Sequence, residues 1–148
     1  MIKKIVIEAT KRFPGEKPVS LGAFTGAAAV NIGGSTLHSL FHLPTRDSFS
    51  SLTGKRLTEL QNEFKETRFI IIDEMSMMSA RMLAMIDERC RQAKSINNIP
   101  FGGMMVYLFG DFRQLPPVGV PALFSGNKLS NLDIAGKLLL IILTSTLN

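Results

Sequence analysis

The chain has 148 residues, 45% of them hydrophobic and 20% charged, which suits one domain with a packed core and excludes a disordered or collagen-like polymer. Seventeen Lys and Arg against twelve Asp and Glu leave a net charge of +5, compatible with a polyanionic partner such as nucleic acid. A single cysteine, Cys90, excludes an internal disulfide framework and a cysteine-based zinc site.

In chain order, Ile2, Ile5, Val6 and Ala9 recur at helical spacing, and Phe13-Pro14-Gly15 with Pro18 ends that helix. Lys3 and Lys4 are followed by Glu8, Lys11 and Arg12 before any long apolar run, so this segment does not read as a secretory leader. No apolar stretch approaches the ~18 residues that span a bilayer, and no membrane partner is expected. Val19 to Phe24 predicts a short strand ended by Thr25-Gly26, and Ala27-Ala28-Ala29-Val30 predicts a helix closed by Gly33-Gly34. Thr36 to Pro44 is mixed, and Asp47 to Thr53 is a Ser/Thr-rich loop.

Leu57, Leu60 and Phe64 predict an amphipathic helix over Lys55 to Lys65, with Glu59 and Glu63 facing water. Phe69-Ile70-Ile71-Ile72 is a continuous apolar run met at once by Asp73-Glu74, the pattern of a strand covered on both faces and ending in carboxylates. Ser79 can cap a helix through Lys94, with Met82, Ile86, Cys90 and Ala93 inward and Arg81, Glu88, Arg89 and Arg91 mostly outward. Lys3, Lys4, Lys11, Arg12, Arg89, Arg91 and Lys94 read as solvated helix faces. Met104 to Phe109 predicts a second apolar strand, ending at Gly110-Asp111, and Leu138 to Leu143 a third.

Strands alternating with helices predict one α/β layered domain with a mainly parallel sheet, in which ligands collect at the carboxyl ends of the strands. Asp73, Glu74 and Asp111 fall on that edge. Two adjacent carboxylates after a buried strand suit a site that holds hydrated magnesium with one acid and orients a water with the other; the same dipeptide also suits a turn or a helix cap. Gly110-Asp111-Phe112-Arg113-Gln114-Leu115-Pro116-Pro117 presents a carboxylate and an amide from a loop stiffened by prolines, and Gln114 could bond a terminal phosphate or the attacking water. The run from Thr25 to Ser39 combines glycines, hydroxyls and an imidazole that could grip a phosphodiester. His38 and His42 lack a third ligand and do not make a zinc site.

In this order, FTGAAAVNIGGSTLHS, IIIDEMSMM and FGDFRQLPPV resemble motifs of the PIF-type DNA helicases of superfamily one, relatives of the RecD helicases that move 5′ to 3′ on single-stranded DNA. The resemblance covers nearly all of residues 1–148 as part of the first RecA-like motor domain, the P-loop NTPase layer from motif Ia to motif III. It implies that Asp73 supports Mg²⁺ through water, that Glu74 activates the attacking water, and that Gln114, with Asp111 nearby, senses the γ-phosphate of ATP. It also implies that Thr25, Gly26, Thr36, His38 and Ser39 lie along the DNA, and that Met77 and Met78 pack beneath the site. Single-stranded DNA and DNA junctions are the implied partners. Repair, recombination or telomere maintenance is the implied setting, and an intracellular location, nucleus or mitochondrion in a eukaryote, follows from it.

The 148 residues contain no Gly-x-x-x-x-Gly-Lys-Ser/Thr loop, and Ile2 to Thr10 resembles the helix that directly follows one. Asn148 stands where the family has an arginine, and the second motor domain is not included. An arginine finger in related NTPases is worth about 10³ to 10⁵ in rate, so this polypeptide alone is expected to hydrolyse ATP feebly or not at all. Two other readings stay open: a non-catalytic relic of a transposon-borne helicase that binds single-stranded DNA weakly, and an interaction domain whose apolar edge pairs with another motor subunit.

Overall fold

A computed structural model describes residues 1–45, 48–110, 131, 134–136 and 138. Helix α1 (Ile2–Arg12) buries Ala9, and Phe13 ends it by returning its N–H to the Ala9 carbonyl. Strand β1 (Val19–Ala23) leads to helix α2 (Gly26–Ile32), and a two-residue strand β2 (Ser35–Thr36) runs into the short helix α3 (Leu37–Leu40). Helix α4 (Gly54–Phe64), strand β3 (Phe69–Asp73), helix α5 (Ala80–Lys94) and strand β4 (Met105–Leu108) complete the described elements.

The four strands form one sheet in the order β2-β1-β3-β4, with every pairing parallel. Alternation along β3 sends Ile70 and Ile72 into the main core and Ile71 to the opposite face, and all three are fully buried. The strand is covered on both faces, as its unbroken apolar run requires. Beneath it, Phe41 stacks on Phe64 at 5.4 Å between ring centroids, and Leu60, Leu83, Ile86 and Cys90 fill the remaining space. Met78 is buried there too, while Met77 is half-buried. Ser79 caps α5 by accepting from the Met82 N–H at 3.1 Å, and the buried stripe of that helix includes Met82, Ile86, Cys90 and Ala93.

Three expectations change. Leu138 is helical rather than the start of a third strand, and 139–143 lie outside the described residues; six apolar residues alone do not distinguish a strand from a helix segment. Arg89, expected outward, is only 2% exposed. Its guanidinium lies 4.4 Å from the centroid of the Phe49 ring and donates to the Ser50 carbonyl, and burial lowers its pKa. Arg91 and Lys94 are half-buried rather than solvated: Arg91 binds Asp87, and Lys94 Nζ donates to the Phe64 carbonyl at 2.7 Å, closing the end of α4. Helix α5 meets neighbours on more than one face, and the stems of these cations pack while their heads find partners. Strand β4 is less covered than β3, with Met105 53% exposed.

Candidate functional site

The register of the sheet decides what stands at its carboxyl edge. Ala23, the last residue of β1, pairs with Asp73 on one side and Thr36 on the other. The chain leaving β1 as Thr25-Gly26, the acids ending β3 and the hydroxyl ending β2 thus emerge along one rim. Strand β4 reaches the same rim, where the Phe109 N–H donates to the Ile72 carbonyl and the Phe109 carbonyl accepts from the Met75 N–H.

Asp73 and Glu74 are both half-buried. Asp73 Oδ1 accepts from the Glu74 N–H at 3.1 Å, and Glu74 adopts a left-handed conformation (φ 60°) before a 3₁₀ turn over Met75–Met77. A left-handed backbone costs a non-glycine residue roughly 1–2 kcal/mol, so the burial of Met75 and Met78 must hold this bend in place. The start of the next loop fits closely against it. A Cβ at Gly110 would stand 2.9 Å from the Met75 nitrogen, closer than real side chains approach.

The Glu74 carboxylate also meets β1's exit loop. Thr25 Oγ1 donates to Glu74 Oε2 at 3.3 Å and accepts from the Ala28 N–H at 3.2 Å, capping α2. The sequence assigned Thr25 only to a DNA strand; this contact joins groups 49 positions apart and left no local signal. Gly26 is exposed, with open space where a side chain would lie.

Thr36 accepts from the Ser39 N–H and donates to Ser39 Oγ, capping α3, so this pair of hydroxyls serves the fold as well as the rim. His38 is half-buried and Ser39 exposed. Gly33 and Gly34 are used by the fold: Gly33 ends α2 in a left-handed conformation, and a Cβ on Gly34 would stand 2.4 Å from the Leu21 carbonyl oxygen. His42 Nε2 lies 3.0 Å from Glu63 Oε2, which accounts for that histidine structurally. Asp111 and Gln114 lie outside the described residues, and the structure places neither.

Among the described residues no group of three or more His, Cys, Asp and Glu side chains converges to hold a metal ion. Two adjacent carboxylates fit a magnesium ion that keeps water and phosphate oxygens as its other ligands, and do not fit an all-protein cage. A cleft of about 450 Å³ lies at the opposite edge of the sheet, lined by Arg68, Phe69, Lys94, Met104 and Met105, away from these acids. Among the described residues no helix is long and apolar enough to cross a membrane.

The family model described as PIF1-like helicase matches residues 2–130. Over 137 residues the chain is 34% identical to the ATP-dependent DNA helicase PIF1 of Candida albicans, covering 90% of this chain and 15% of that protein. Over 119 residues it is 38% identical to the ATP-dependent DNA helicase Pif1 of Bdellovibrio bacteriovorus, covering 78% of this chain and 27% of that one. The crystal structure of Pif1 helicase from Bacteroides in complex with ADP-AlF3 and ssDNA matches with a TM-score of 0.61 at 34% identity, across 80% of this chain and 27% of its own. The chain therefore spans less than a third of each relative. Its parallel sheet with flanking helices is the RecA-like α/β layer expected from the sequence, in incomplete form.

Proposed function

The chain belongs to the PIF1-like helicase family, and from that premise we propose that it forms the part of an ATP-dependent 5′-to-3′ DNA helicase motor where the hydrolytic acids meet the DNA path. Asp73 would hold magnesium through water, and Glu74 would orient the attacking water and take its proton. When bound, the metal supplies charge neutralisation to the phosphates. By resemblance, Gln114 senses the γ-phosphate beside Asp111. Thr25, Gly26, Thr36, His38 and Ser39 would line a single strand, and DNA junctions would be the substrates of the whole motor, in repair, recombination or telomere maintenance.

The observation that carries this reading is the Thr25–Glu74 hydrogen bond, which joins the segment that resembles the DNA-contacting motif to the acid that resembles the water-activating one. The ssDNA and ADP-AlF3 held by the similar Bacteroides protein support it. The 148 residues carry no Gly-x-x-x-x-Gly-Lys-Ser/Thr loop, so the isolated chain is proposed to hydrolyse ATP feebly or not at all. In a polypeptide that joins this domain to a phosphate-binding loop and a second motor domain, Glu74→Gln should lower turnover by about 10²-fold or more while leaving ATP binding intact. Retained turnover would remove Glu74 from its role.

A further inference from the structure

We infer that Thr25 is a positioning residue whose one hydroxyl proton is exchanged between the Glu74 carboxylate and a phosphate of the bound DNA strand, so that arriving DNA releases Glu74. The inference rests on the reading of Glu74 as the water-activating acid and of Thr25-Gly26 as part of the DNA path. A threonine hydroxyl has a single hydrogen to give and two lone pairs with which to accept. In this structure one lone pair takes the Ala28 N–H, and the hydrogen points to Glu74 Oε2. A phosphate oxygen can only accept. Thr25 cannot serve both acids at once.

The surroundings suit such an exchange. Thr25 is held by its cap on α2, and Glu74 by the ladder that pairs Ala23 with Asp73 and by the Asp73 Oδ1 bond to its own N–H. At 3.3 Å the Thr25–Glu74 bond is longer than the 2.7–2.8 Å typical of hydroxyl donors, weak enough for a second acceptor to displace. The neighbouring Gly26 is exposed and has nothing within 4 Å of a Cβ position, which gives a backbone phosphate room to approach. While Thr25 donates to Glu74, it occupies one of the carboxylate's roughly four lone pairs and lowers the basicity of the group that would receive the proton of the attacking water. DNA would free that lone pair without moving either strand.

The test uses the 148-residue chain and a ten-nucleotide oligo-dT, followed by NMR of the Gly26 amide and the Glu74 carboxyl carbon. Both signals are expected to titrate with one midpoint. Thr25→Val should show the DNA-bound Glu74 signal before any DNA is added, and Thr25→Ser should restore the response. A Gly26 signal that titrates while the Glu74 carboxyl carbon stays still overturns the exchange and leaves the DNA reading standing. If neither signal moves, the DNA path itself is wrong and the exchange falls with it. A Thr25→Ser chain that behaves like Thr25→Val also overturns the inference, because the hydroxyl would then not be the cause. The wild-type titration decides the matter even if Thr25→Val loses its fold with its cap.

Discussion

Asp87 Oδ1 accepts a hydrogen bond from the backbone N–H of Phe101, and its other oxygen holds Arg91 Nε at 2.7 Å. One buried carboxylate thereby ties α5, which starts just beyond the Glu74 turn, to the turn over Pro100–Gly103 that delivers β4 to the same rim. Phe101 sits there with φ 53°, a conformation that needs such an anchor. Asp87→Ala leaves the buried Phe101 N–H without its acceptor and the half-buried Arg91 guanidinium with only the Asn97 carbonyl, and should cost about 2–4 kcal/mol in urea unfolding. Asp87→Asn, which keeps one accepting oxygen, should lose less. Equal losses from the two would show that charge, rather than the Phe101 bond, does the anchoring.

Cys90 makes stability fall with alkaline pH. Burial, reinforced by the charge of Asp87, pushes its thiol well above the ordinary value. The unfolded chain releases that proton from about pH 8.5, whereas the folded chain keeps it, so stability declines as pH rises through this range. Lys94 works the other way: burial lowers its pKa, so just below its ordinary value the folded chain sheds a proton that the unfolded chain retains. Restricting the measurement to pH 8–9.5 and subtracting Cys90→Ala isolates the thiol. The stability difference between wild type and variant should shrink by about 1 kcal/mol over that span; a constant difference would refute the assignment.

What the sequence made legible was local. The strand β3 announced itself through three consecutive isoleucines, and α5 through Ser79 and its inward stripe, because burial on two faces and helix capping leave marks within a few residues. The register that pairs Ala23 with Asp73 left no such mark, and without it Thr25 could not be set beside Glu74. Arg89 is not legible in the sequence because a cation normally reports solvent, and only the packing of Phe49 and Ser50 shows where this one goes.

Gly34, just past the end of α2, differs from Gly26 in what a methyl group would meet. A Cβ at Gly34 collides with the Leu21 carbonyl oxygen at 2.4 Å, a backbone atom that no rotamer change can move. Gly34→Ala should therefore lower stability by about 1–3 kcal/mol. Gly26→Ala, in open space, should stay within about 0.5 kcal/mol of wild type. Thermal melts of the two variants give the comparison, and comparable losses at both positions would mean that Gly34 is not pressed against β1.

The charge of the rim sets how its DNA binding should respond to salt. Of the five proposed contacts, Thr25, Gly26, Thr36, His38 and Ser39, none is Lys or Arg, and Asp73 and Glu74 stand on the same edge. Hydroxyl and backbone contacts release few counterions, whereas each neutralised phosphate on a single strand adds about −0.7 to the slope of log K against log salt. Oligo-dT binding by this chain should show a slope shallower than about −1.5, the value for roughly two neutralised phosphates. Fluorescence anisotropy between 50 and 200 mM salt, roughly the range over which such slopes are read, measures it. A slope near −3 or steeper would require about four cationic contacts, and the DNA path would then belong with the exposed Lys3, Lys4, Lys11 and Arg12 of α1 rather than with the hydroxyl rim.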